Sequence, residues 1–203
     1  MRDVGTFLVT GFVAVGWQLA ACAADVVPGQ SAPDFTLTDA QGTTHSLSDF
    51  KGKFIVLEWF NPECPFVRKH YGSDNMQDLQ RRYTGRGVVW LTIDSSARGK
   101  QGHLSPEQAK AVFTDYYMAS TALLLDPAGT GGRRYGAKTT PHMFIVNPEG
   151  ILLYAGAIDD IPSTDPADVP KATNFVQRAL AETLTGQPVT VSHTNSYGCS
   201  VKY

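Results

Sequence analysis

The sequence predicts an α/β fold, a central mixed β-sheet flanked by helices. Three observations carry that prediction. Residues 54–60 and 87–93 are apolar runs of strand length, the mark of strands buried on both faces. A helix start with Ser105 as cap and Pro106 in the first turn lies between the second run and a third, at 122–125. Residues 142–146 and 151–155, joined by Asn147-Pro148-Glu149-Gly150, form a hairpin signature ahead of an amphipathic stretch at 171–184. Alternating strands and helices closed by a hairpin and a helix require a layered α/β arrangement.

The elements follow in order. Residues 7–21 are apolar and uncharged, too short for the ~20 residues a membrane span needs, and end in small residues. They read as an export signal over residues 1–23. Two cleavage modes fit: an ordinary site around Ala21-Cys22-Ala23, or a lipoprotein signal over 1–21 that leaves Cys22 as a lipidated first residue. Both place the mature protein in the periplasm or cell envelope, with a membrane contact only through such an anchor. Residues 24–32 are a turn-rich linker. Residues 35–38 and 43–47 around the turn Asp39-Ala40-Gln41-Gly42 predict an N-terminal hairpin extension. Residues 64–83 predict a helix interrupted near 72–74. The helix from Ser105 runs to about Met118, and residues 131–135 form a short one. Residues 161–170 are a Pro- and Asp-rich loop. The main domain spans 33–186, and 187–203 are a tail that adds a strand or drapes over the surface.

Composition excludes some functions. A formal charge of −2 over 203 residues, with only short basic runs, gives no footing for nucleic acid. Gly129-Thr130-Gly131-Gly132 lacks the Lys-Ser/Thr of a phosphate loop, so no organic cofactor is implied.

Cys64 carries the functional signal. The first of the buried apolar runs ends at Phe60, a Pro-containing turn follows, and the cysteine lands at the start of a helix. Helix N-termini offer free N–H groups and a positive dipole end, which favour the reactive thiolate. An accessible, stabilised thiolate is therefore expected. Glu58 sits inside the preceding apolar strand, where a charge demands a partner or neutralisation. With Cys22 removed or lipidated, two thiols remain, Cys64 and Cys199. Outside the cytoplasm such a pair cycles or staples.

The stretch Trp59-Phe60-Asn61-Pro62-Glu63-Cys64-Pro65-Phe66-Val67, Thr139-Thr140-Pro141 ahead of a strand, and the hairpin that follows resemble the thioredoxin-like redoxin superfamily. The similarity is to exported AhpC/TSA-type peroxiredoxin-like and thiol–disulfide proteins. It implies a thioredoxin-like fold, Cys64 as attacking thiol and Pro141 as a cis-proline beside it. It also implies Glu58 as a buried proton-moving acid and Trp59 as an aromatic shield that, with Thr140 and Pro65, lines the substrate side. Its substrates would be a peroxide or a protein or small-molecule disulfide, with an external thiol as electron donor. Two positions depart from the family. Val67 stands where a Cys-x-x-Cys motif has its second cysteine, and Asn61 where peroxiredoxins carry threonine. Cys199 reads as the resolving thiol, as a structural disulfide partner, or as a free tail thiol.

Two other classes stay open on the residues: a copper or zinc chaperone using Cys64, Cys199 and His142, and a binding module of the same fold without turnover. Arg133 and Arg134 are further candidates for stabilising the Cys64 thiolate.

Overall fold

A computed structural model describes residues 26–203. The segment expected to be an export signal and the first two residues of the linker lie outside the described residues. The hairpin extension is β1 (Thr36–Asp39) and β2 (Thr44–Ser46). It turns on Asp39, whose carboxylate accepts the Gln41 and Thr43 N–H groups and binds His45. The central strands are β3 (Ile55–Trp59), β4 (Val89–Asp94) and β5 (Ala122–Leu125), then β7 (His142–Val146) and β8 (Leu152–Gly156). They form one seven-stranded sheet in the order β2-β1-β5-β4-β3-β7-β8. β3, β4 and β5 run parallel; β1, β2, β7 and β8 make the antiparallel pairings. The sheet is therefore mixed. A separate two-stranded ladder joins β6 (Thr139–Thr140) to β9 (Cys199–Ser200).

The helices are α1 (Pro65–Gly72), α2 (Asn75–Thr84), α3 (Pro106–Asp115), α4 (Thr130–Arg134) and α5 (Phe175–Leu184). The interruption expected near residues 72–74 is a full break, since Asp74 adopts a left-handed conformation (φ 58°). α3 starts at the expected Ser105 cap, where Gln108 completes a capping box, but stops at Asp115, short of the predicted Met118, because Tyr117 turns left-handed (φ 50°). α5 starts at Phe175, later than predicted. Residues 166–171 form a 3₁₀ turn instead, and the Asn174 side chain caps the helix by accepting the Gln177 N–H.

Side-chain alternation along β3 splits the core. Val56 and Phe60 face α1, α2, α3 and α5 with Tyr71, Met76, Ala109 and Leu180. Leu57 and Trp59 face the opposite layer with Phe35, Leu47, Tyr135 and Phe144. Cys64 belongs to the first layer. The tail returns across the β8 edge, through Ala155 N–H to the Ser192 carbonyl and Thr194 N–H to the Ala155 carbonyl. It ends with Ala97 N–H on the Lys202 carbonyl. This route carries β9 to the start of α1.

Candidate active site

The turn after β3 is built by Asn61. Its side-chain oxygen accepts the Glu63 N–H (2.8 Å), its amide donates to the Gln101 carbonyl (3.2 Å), and its own carbonyl accepts the Cys64 N–H (3.1 Å). Arg68 Nε and the Tyr116 hydroxyl both donate to the Pro62 carbonyl (2.9 Å each). Five hydrogen bonds thus fix Cys64 as the N-cap of α1, with Pro65 at the first helical position. Pro suits that place because its missing N–H would be unpaired anyway.

The Cys64 thiol donates to the Thr140 carbonyl at 3.0 Å. The Thr140–Pro141 bond is cis, as the resemblance implies. β9 lies antiparallel on β6, with Cys199 opposite Thr140. This register brings the Cys199 side chain to the Cys64 side of the ladder, where the two thiols influence each other's ionisation, and neither cysteine is in a disulfide. Gly198 makes this approach feasible. Its φ is +138°, and a Cβ there would overlap the Thr140 carbonyl oxygen.

The expectation of an accessible thiol is corrected by the structure. Cys64 is 0% exposed, because the tail closes over the start of α1. It is not stranded in hydrocarbon, however. Burial raises its pKa, but hydrogen bonds from the Cys199 thiol, the Thr140 side chain and the Val67 and Cys199 N–H groups outweigh burial and lower it. Thr140 Oγ1 is buried with no partner while Cys64 keeps its proton, so it is free to donate to the thiolate. Cys199 moves the other way, to about 11, through burial, its hydrogen bond to Cys64 and the Cys64 charge. Of the two thiols, Cys64 is the one that ionises first.

The other expected residues fall in different places. Glu58 is fully buried and accepts from Tyr71 Oη (2.7 Å), Trp90 Nε1 (2.8 Å), Gln80 Nε2 (3.2 Å) and Thr92 Oγ1 (3.2 Å). Burial raises its pKa and the four donors pull it part-way back. Pro65 is exposed beside the closed thiol. Trp59 is on the opposite sheet face, donating to Ser95 Oγ (3.0 Å) and packing on Tyr135 and Phe144; Phe60 is the aromatic residue that shares the Cys64 layer. Arg134 binds the Asp34 carbonyl and Arg133 stacks on Tyr203, so neither is turned to Cys64. His142 packs against Phe144 on the Trp59 side, and burial, Lys138 and His193 push its pKa down to about 3. Among the described residues no three His, Cys, Asp or Glu side chains converge to hold a metal ion. The chaperone reading therefore has no site there.

Sequence reasoning missed one cluster beside the thiols. Lys69 and His70, on α1 and almost wholly buried, meet Asp159 and the tail residue Tyr197. The available sequence signal was that Tyr197 and Cys199 stand two apart, the spacing of one strand face.

Residues 28–155 match the model of the AhpC/TSA family. The chain belongs to that family, within the thioredoxin-like superfamily of thiol-dependent oxidoreductases. Among curated proteins it is 30% identical to the thioredoxin-like protein YneN of Bacillus subtilis, over 61% of this chain and 68% of that one. It is 26% identical to the thiol-disulfide oxidoreductase ResA of Bacillus thuringiensis, over 62% and 66%. The chain thus spans about two thirds of these relatives. A hypothetical protein of Sinorhizobium meliloti has a similar structure, with a TM-score of 0.77 and 25% identity over 89% of this chain and 96% of that one. Cys199 lies beyond the family match, which ends at residue 155.

Proposed function

We propose that the protein exchanges disulfides with an oxidised protein or small thiol compound, using Cys64 to attack and Cys199 to resolve. One observation carries this reading: Cys199 is paired in the β6–β9 ladder with Thr140, the residue whose carbonyl accepts the Cys64 thiol. In the first step the Cys64 thiolate attacks a substrate disulfide, forming a Cys64–substrate bond and releasing one substrate thiolate. That step removes the negative charge that holds the Cys199 proton. Cys199 then ionises more readily and attacks the Cys64 sulfur, closing the intramolecular disulfide and releasing the second substrate thiolate. An external thiol donor reopens the pair. Thr140 and Pro141 wall the site, Pro65 forms its exposed lip, and Trp59 braces the sheet from the far side. We assign Glu58, with its raised pKa, as the acid–base group of the sheet face that Cys64 packs on.

Exchange is favoured over peroxide reduction by the site's polar groups. Asn61, in the threonine position of peroxiredoxins, spends both ends of its amide on backbone. Neither Arg133 nor Arg134 supplies a cation to the sulfur. We also propose export to the periplasm or envelope, resting on the apolar segment at residues 7–21. Among the described residues no helix is long and apolar enough to cross a membrane.

The test is intact mass spectrometry with thiol trapping after one equivalent of oxidised glutathione or of hydrogen peroxide. Glutathione disulfide is expected to convert the protein to a species two hydrogen atoms lighter, linked Cys64–Cys199, with two molecules of glutathione released and peroxide reacting far more slowly. Rapid, repeated peroxide consumption with an inert response to glutathione disulfide would reverse the assignment.

A further inference from the structure

Cys64 has no exposed surface while β9 is seated, so a substrate disulfide reaches it only when β9 lifts. Resolution then requires β9 to return to the same register. We propose that Tyr197 is the latch that seats β9, positioning Cys199 for attack through a buried polar cluster on the active-site helix. This rests on the exchange reading above and adds to it residues beyond the family match.

The cluster is directional. Asn75 Nδ2 donates to His70 Nδ1 (2.9 Å), which leaves the His70 proton on Nε2. Nε2–H points to the Tyr197 hydroxyl oxygen (3.4 Å) and faces Asp159 (3.8 Å). The Tyr197 hydroxyl in turn donates to Asp159 Oδ1. Burial holds His70 neutral, at a pKa of about 4, so its roles in this chain are fixed at neutral pH. Lys69 closes the cluster, donating to the Ile161 carbonyl (2.8 Å) and facing Asp159 (3.5 Å) and the Tyr197 ring. The Tyr197 ring also meets Phe66 edge-on at 5.8 Å.

Every member except Tyr197 belongs to the body of the domain. Lys69, His70 and Phe66 are on α1, whose cap is Cys64, and Asp159 follows β8. The tail thus contributes one hydroxyl to a cluster otherwise fixed to the helix that holds the nucleophile. With β9 lifted, Asp159 loses a donor and His70 Nε2–H loses its acceptor inside a buried site, a state that drives the tail back. Tyr197 is two residues from Cys199, so the return of one places the other. It is a positioning residue; it does not touch the reacting sulfurs.

The experiment compares wild type, Tyr197→Phe and Tyr83→Phe in the full chain. Tyr83 is a control buried tyrosine whose hydroxyl donates to the Gln177 carbonyl, away from the thiols. Two readouts are taken: the equilibrium constant of the Cys64–Cys199 disulfide against glutathione, and the iodoacetamide alkylation rate of Cys64 in the reduced protein. Tyr197→Phe is expected to lower the equilibrium constant roughly tenfold, about 30 mV for a two-electron couple, and to speed alkylation by a similar factor. Tyr83→Phe is expected to change neither. Asn75→Ala, which frees the His70 ring, should shift both readouts in the same direction by roughly two- to threefold, and serves if Tyr197→Phe does not fold. Wild-type values in the Tyr197→Phe protein, or in Asn75→Ala in its place, would overturn the latch. A wild type that forms no Cys64–Cys199 disulfide would overturn the exchange reading instead, and the alkylation rates would still decide the latch.

Discussion

Replacing Cys199 with alanine is expected to arrest the protein at a mixed disulfide on Cys64. Turnover with limiting external thiol should fall by roughly three orders of magnitude, the advantage that a held intramolecular thiol has over one arriving from solution. The trapped species should carry one substrate thiol by intact mass, and Cys64→Ala should carry none. Attack itself should slow as well. The Cys199 thiol is the first of the hydrogen bonds that lower the Cys64 pKa, whereas the Val67 and Cys199 N–H groups survive the substitution. The thiolate's ultraviolet absorbance should therefore titrate at higher pH in Cys199→Ala. Stability should change little, because Cys199 is half-buried on a two-residue strand at the domain surface. Normal turnover by Cys199→Ala would show that resolution comes from outside the chain.

Glu58→Ala is expected to be the most destabilising single change in the sheet. It leaves four buried donors, on Tyr71, Gln80, Trp90 and Thr92, without their acceptor and opens a cavity in a fully buried strand. A loss of about 4 kcal/mol in urea unfolding is expected. Glu58→Gln keeps the volume and an oxygen acceptor and should lose less. The two variants also separate by pH. The native Glu58 pKa is raised above the ordinary 4.5, chiefly by burial. Its contribution is therefore full below pH 4.5, declines as pH rises and the unfolded chain ionises first, and levels once the native carboxyl ionises too. Asp94, raised to about 6 by burial, adds a slope of the same sign. The difference between wild type and Glu58→Gln isolates the Glu58 part. Unfolding curves for the two that stay parallel across this range would show a carboxyl that is not shifted.

Legibility in the sequence followed the length scale of the interactions. β3 and β4 were readable because strands buried on both faces need unbroken apolar runs, and α3 because its capping box is local. Cys64 was readable for the same reason: a strand, an Asn-Pro turn and a Pro at the first helical position all lie within one short stretch. Trp59 shows where local reading stops. Glu58 and Trp59 are neighbours on one strand, so they take opposite faces, and only Glu58 lies on the face that Cys64 joins. The closure over Cys64 was illegible because β9 has two residues and no apolar pattern. Its pairing depends on Gly198, which brings the backbone against Thr140, and a single glycine in a tail carries no local signal of such a contact. The Lys69–His70–Asp159–Tyr197 cluster was hidden too, since its members come from three distant segments and appear singly as ordinary surface charges or aromatics.

The central claim is that Cys64 and Cys199 act as one two-electron couple. Equilibrating the protein across glutathione buffers of graded potential, trapping free thiols with acid and alkylating agent, and quantifying each cysteine by peptide mass tests it most directly. Both residues are expected to lose their free thiol at one shared midpoint, with the slope of a two-electron transition and a Cys64–Cys199 peptide as the only oxidised product. Oxidation of Cys64 to a glutathione adduct while Cys199 stays free across the whole range would contradict it.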